Sequence, residues 1–210
     1  MTDGKIVMPA GLPEPQGLYD PRDERDSCGI GFVADIKGTK RHGIIADGLR
    51  ILCNLNHRGA TGADPKMGDG SGILIQIPDA FFREECAKAG IKLPPAGDYG
   101  VGMCYLPSNP EARKFCEKQV ETFIAAEGQK LLGWRDVPVD NSDLGESVKA
   151  TEPVIRQVFV GRGSNLASDA NAFERKLFVI RKQTSNWPCC RGASQDRCCR
   201  CSETCCRCCI

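Results

Sequence analysis

The sequence predicts an α+β fold, and three observations carry that reading. Tyr99–Leu106 alternates the large residues Tyr99, Val101, Met103 and Tyr105 with the small residues Gly100, Gly102 and Cys104, the period-two pattern of a strand with two unequal faces. From His42 to Asn56 the apolar residues Ile44, Ile45, Leu49, Leu52 and Leu55 recur at helical spacing. Ser108-Asn109-Pro110-Glu111 then joins capping-box spacing to a proline at the head of a second helix.

Taken in order, the chain opens on a polar leader, residues 1–27. Pro9, Pro13, Pro15 and Pro21 punctuate it, and it ends in Arg22-Asp23-Glu24-Arg25-Asp26. Such a segment is expected to be flexible, accessible to cleavage and removable. Next comes Cys28-Gly29-Ile30-Gly31-Phe32, with Gly29–Asp35 expected as a short buried strand whose glycines permit close backbone approach. Lys37–Lys40 is a turn. The helix that follows delivers His57 and Arg58 to its C-terminal end, with Gly59 placed to cap it. Thr61–Gly70 is a polar glycine-rich loop in which Asp64 and Asp69 are turn formers rather than metal ligands. Ile73–Ile77 reads as an all but wholly apolar strand covered on both faces. Pro78 ends it, and Asp79 is placed to cap a helix running through Ala89. The helix after Pro110 runs to about Ala126 with Ala112, Cys116, Gln119 or Val120, and Phe123 on one side. Trp134–Val139 and Val154–Val160 are further strands, Asn141–Glu152 a loop, and Asn171–Arg181 the last helix.

The chemistry centres on Cys28. A thiol is a weak nucleophile until a base takes its proton. A free α-amino group titrates near ~7.7–8.0 and is partly unprotonated at neutral pH. Removing the leader before Cys28 places amine and thiol on one residue, so the base arrives with the nucleophile. The competing reading is a cysteine that packs as a small core hydrophobe. His57 is not needed as a base, and at a helix C-terminus it serves the last carbonyls instead. Arg58 is the candidate for substrate binding, since a guanidinium grips a carboxylate with paired donors.

A second motif shifts the balance toward catalysis. His57-Arg58-Gly59-Ala60 is followed by Gly68-Asp69-Gly70-Ser71-Gly72-Ile73. With Cys28-Gly29-Ile30-Gly31-Phe32 these stand in the order and spacing of the class II glutamine amidotransferases, which the chain resembles. The resemblance is nearest to the amidotransferase domain at the start of glutamate synthase large subunits, and Phe173–Lys182 adds to it. It implies a four-layer αββα N-terminal-nucleophile hydrolase sandwich, of which residues 28–187 form the front part. It implies that Cys28 attacks the side-chain amide of glutamine. It also implies that the ammonia serves separate domains, absent from this sequence, that aminate 2-oxoglutarate using FMN and iron–sulfur centres. A glutamate synthase small subunit is the implied protein partner. No cofactor or metal is expected in this chain. Its departures bear on activity: the family's oxyanion donors come from an Asn-Gly segment, and no Asn-Gly dipeptide occurs here. The chain as it stands is therefore expected to be inactive.

Composition narrows the alternatives. A net charge of +1 over 210 residues gives no basis for binding nucleic acid or an anionic membrane. No apolar run approaches the ~18 residues of a membrane span, and the N-terminus lacks a secretory signal. Of the 14 cysteines, five (Cys28, Cys53, Cys86, Cys104, Cys116) lie among apolar neighbours, as suits a reduced cytoplasmic protein. Cys53, Cys86 and Cys116 are placed on apolar helical faces, with a stabilising role. The other nine crowd residues 188–210. Composition alone suggests a metal-binding tail, and the rival function is a non-catalytic metal- or redox-binding protein acting through it. Zinc sites, however, favour C-x₂-C pairs separated by a loop, whereas these cysteines are mostly adjacent. The abrupt change after Trp187 is read as a frameshifted, unstructured tail.

Overall fold

A computed structural model describes residue 17, residues 29–55, 70–166 and 169–186, and the backbone of 207–209. The chain divides into two compact units, Met1–Leu74 and Ile75–Ile210. Most of residues 1–28, residues 56–69 and most of the tail lie outside the described residues.

In the first unit the expected turn forms around Asp35. Its carboxylate accepts from the backbone N–H groups of Lys37 (2.9 Å) and Thr39 (3.2 Å), and the Gly38 N–H donates to the Asp35 carbonyl. Helix α1, His42–Asn54, follows as its apolar periodicity predicts. The predicted strand Gly29–Asp35 does not form. The segment has no ladder partner among the described residues, and the Ile30 and Phe32 side chains are almost wholly exposed. Ile73–Ile77 likewise is not a strand, and Leu74 is fully exposed. Both runs have strand-like composition, but a strand exists only when another pairs with it in register.

The second unit is built on an antiparallel sheet ordered β2-β3-β1-β4. Strand β1 is Tyr99–Leu106, as the alternation predicts. Strand β2 is Lys130–Asp136, starting earlier than expected, and β3 is Val154–Gly161. Strand β4, Arg207–Cys209, sets three residues of the tail beside Met103–Tyr105.

The two faces of β1 bury different partners. Cys104 and Leu106 on the small face join Val158 and Val160 of β3. Against them pack Cys116, Val120 and Ile124 of α3 (Pro110–Ala126) and Phe173, Leu177 and Ile180 of α5 (Ala170–Asn186). The α3 stripe thus includes Ile124, with Phe123 only partly buried. A Cβ on Gly100 would overlap Leu177, so the small side of β1 is what lets α5 close on the sheet. On the other face Tyr99 and Phe159 meet Phe82, Cys86 and Ile91, from helix α2 (Asp79–Lys88) and the turn after it. Each such apolar side chain contributes roughly 1.5–3 kcal/mol by leaving water.

Helix ends differ from expectation in instructive ways. The α3 cap is Asn109, not Ser108: its side-chain oxygen accepts from the N–H groups of Glu111 and Ala112, both at 3.0 Å, with Pro110 at the first helical position. Asp79 does not cap α2. Its carboxylate takes two hydrogen bonds from Arg83 (2.8 and 3.1 Å) and one from the Tyr99 hydroxyl (2.8 Å), tying the head of α2 to β1. Burial and the Asp79 carboxylate push the Tyr99 phenol well above its ordinary range. Helix α5 continues past Arg181, where the buried Thr184 hydroxyl donates to the Ile180 carbonyl (2.8 Å). The loop Asn141–Glu152 contains a one-turn helix, α4, Glu146–Lys149.

Candidate functional site

The two predicted site residues, Cys28 and Arg58, lie outside the described residues, as do His57, Gly59, Asp64 and Asp69. What the structure describes is the scaffold beside them. The turn at Asp35, braced by Arg41 at 3.5 Å, reverses the chain so that the run 29–35 folds back along α1. The contact is close. A Cβ on Gly31 would lie 2.7 Å from Ile51 Cγ2, and one on Gly29 would lie 2.9 Å from Leu55 Cδ2. Only a residue without a Cβ allows this approach. Because Gly29 meets Leu55 and Gly31 meets Ile51, the run passes α1 in the opposite direction. Its N-terminal end, next to Cys28, is at the C-terminal end of the helix, three residues before Arg58 in the chain.

Three of the described cysteines are unsuited to the nucleophile's task. Cys86, Cys104 and Cys116 are buried in the apolar clusters of the second unit. Burial pushes the Cys86 thiol up, which keeps it protonated and inert at neutral pH. Cys53 is exposed, where its place on an apolar helical face suggests packing. Several charged groups of the second unit brace it. Arg135 bridges Glu85 (2.8 Å) and Gln157 (3.0 Å), and Arg156 bridges Glu117 and Asp136 (2.6 and 2.7 Å). Lys176 holds Glu127 at 2.7 Å and shifts that carboxyl below the usual carboxylate range, joining α3 to α5. Among the described residues no three His, Cys, Asp or Glu side chains converge as metal ligands.

Comparison with known proteins assigns the chain. Residues 28–206 match the family described as glutamine amidotransferases class-II. The chain belongs to the class-II glutamine amidotransferases. The match opens on Cys28 and runs past Trp187 into the cysteine-rich tail. This amidotransferase chain is 51% identical over 176 residues to the glutamate synthase [NADPH] large chain of Bacillus subtilis, covering 84% of this chain and 11% of that protein. It is 41% identical over 192 residues to the glutamate synthase [NADH] of Schizosaccharomyces pombe, covering 88% of this chain and 9% of the relative. It is 38% identical over 172 residues to ferredoxin-dependent glutamate synthase 2 of Arabidopsis thaliana, covering 81% and 10%. The amidotransferase chain thus spans about a tenth of the length of these relatives. The rival reading of a metal- or redox-binding protein receives no support from any of them. No described helix is long and apolar enough to cross a membrane.

Proposed function

We propose that this chain is the glutaminase part of a glutamate synthase, with Cys28 as the N-terminal nucleophile. The observation that carries the reading is the place where the family match begins: on Cys28, at the junction between the polar leader and the glycine-headed run. With the leader removed, the α-amine of Cys28 accepts the thiol proton. The Sγ attacks the side-chain carboxamide carbon of glutamine. The carbon–nitrogen bond breaks, the proton passes to the departing nitrogen, and ammonia leaves a glutamyl thioester. Water, deprotonated by the same amine, attacks the thioester carbonyl, and glutamate departs as the thiol reforms. Arg58 is proposed to hold a carboxylate of the substrate. The fold proposed around the site is the four-layer αββα sandwich.

In the complete enzyme the ammonia is proposed to pass to domains holding FMN and an iron–sulfur cluster, where 2-oxoglutarate becomes glutamate. A small subunit is the proposed partner and the cytoplasm the proposed compartment. The electron donor is left open, because the relatives named above use NADPH, NADH and ferredoxin. Free ammonia supplied to such an enzyme bypasses the thiol.

Processing tests the reading directly. N-terminal sequencing of active full-length protein carrying this sequence should return Cys-Gly-Ile-Gly-Phe. Active protein that still begins at Met1 or Thr2 has its α-amine far from the thiol, and overturns the mechanism. Residues 1–210 by themselves are proposed to release no ammonia from glutamine. The Asn-Gly oxyanion segment is missing, and one lost oxyanion donor alone costs about 10²–10³ in rate. Ammonia release by the purified chain at enzyme-like rates is the contrary result.

A further inference from the structure

We infer that Gly31 and Ile51, seconded by Gly29 and Leu55, are positioning residues for the Cys28 nucleophile. The inference rests on the reading of Cys28 proposed above and adds to it the means by which the thiol is aimed. Its basis is a match of two periods. Residues two apart in an extended run are about 6.6 Å apart, and residues four apart on a helix about 6 Å. Gly29 and Gly31 therefore fall opposite Leu55 and Ile51 as a repeated contact, and a Cβ on either glycine would come within 2.9 Å of its partner. Two such contacts in succession set the run's distance from α1 and its register along it. Cys28 precedes Gly29, the first residue of this seat, by one peptide bond.

The seat at Gly31 is the stiffer of the two. Ile51 Cγ2 is borne directly on a β-branched carbon, and a β-branched side chain in a helix has one strongly preferred rotamer. It cannot swing aside, whereas the far end of Leu55 can. A methyl on Gly31 at 2.7 Å falls about 1 Å short of ordinary contact at ~3.5–4.0 Å, so the backbone of the run must lift by a comparable amount. Misplacing a reacting group by about 1 Å costs on the order of 10²-fold in rate.

The test uses the full-length enzyme carrying this sequence, with four variants side by side: Gly31→Ala, Ile51→Ala, the double variant Gly31→Ala/Ile51→Ala, and Cys28→Ala. Gly31→Ala is expected to lower kcat for glutamine about 10²-fold with KM little changed, while ammonia-dependent turnover reports an intact remainder. The double variant, which removes Cγ2, is expected to regain most of that loss. Glutamine turnover by Gly31→Ala within twofold of the parent overturns the inference. So does a loss that Ile51→Ala fails to relieve. Should Gly31→Ala fail to fold or to shed its leader, the double variant decides: recovery of the mature N-terminus and of glutamine turnover supports the seat, and an equally defective double variant refutes it. Cys28→Ala separates the two claims. If it keeps glutamine turnover, the nucleophile assignment fails. If it is dead while Gly31→Ala is fully active, only the positioning claim fails.

Discussion

Cys28→Ala in the full-length enzyme should lower glutamine-dependent turnover by on the order of 10⁴-fold or more, and leave ammonia-dependent turnover in place. The size follows from the role. A methyl group neither attacks the carboxamide nor forms a thioester, so both halves of the hydrolysis lose their covalent path. What remains is catalysis by binding alone. With the leader removed as proposed, the α-amine is still present at residue one, but it has no thiol to activate. The persistence of ammonia-dependent turnover separates a missing nucleophile from a misfolded protein, because free ammonia enters the later chemistry without it. Assaying both nitrogen sources on one preparation checks the prediction. Full glutamine turnover in Cys28→Ala, or equal loss with both substrates, would contradict it.

Phe159→Ala should destabilise the second unit by about 3–5 kcal/mol. Phe159 is fully buried at the middle of β3, the strand flanked by both β1 and β2. Its ring meets the Phe82 ring edge-on, with centroids 5.3 Å apart and planes at 83°. Such a pair adds about 0.5–1.5 kcal/mol beyond the area it buries. Truncation leaves a cavity between α2 and the sheet that cannot easily collapse. The pairing of β3 holds one wall, and the Asp79–Arg83–Tyr99 tie holds α2 near the other. Against a typical domain stability of roughly 5–15 kcal/mol, the loss is a large fraction of the total. Urea unfolding of the 210-residue chain, compared with Phe178→Ala at a half-exposed position, is the measurement. Equal midpoints for the two variants would mean that the α2 face contributes little to the fold.

The parts of the fold legible in the sequence are those whose cause is local. Strand β1 has the predicted ends because alternation, proline and glycine all act within a few residues. Helix α3 starts at the proline foreseen for it, and only the identity of the cap moved by one residue. Asn109 took the role because its carboxamide oxygen reaches two N–H groups at once. Where the cause is distant, local pattern failed. Gly29–Asp35 and Ile73–Ile77 have the composition of strands, but composition does not supply a partner. The Gln183-Thr184-Ser185-Asn186 end of α5 looks like a loop, yet it stays helical with Thr184 buried and Gln183 bonded to Glu127 at 2.9 Å. Asp79 sits where a cap is expected, but Arg83 and Tyr99 claim its carboxylate instead.

By itself the sequence determined the candidate chemistry and the family. A cysteine heading a glycine-rich run, a polar, proline-punctuated stretch before it, and two further motifs in fixed order are all one-dimensional facts. Tertiary structure decided three things that no local pattern encodes. It placed β3 rather than β1 or β2 at the centre of the three long strands. Among the described residues it sorted the cysteines into buried thiols and one at the surface. It seated the glycines of the Cys28 run on Ile51 and Leu55. The reason is the same in each case: periodicity states which side of an element seeks burial, but what it is buried against is set by contacts between residues far apart in the chain.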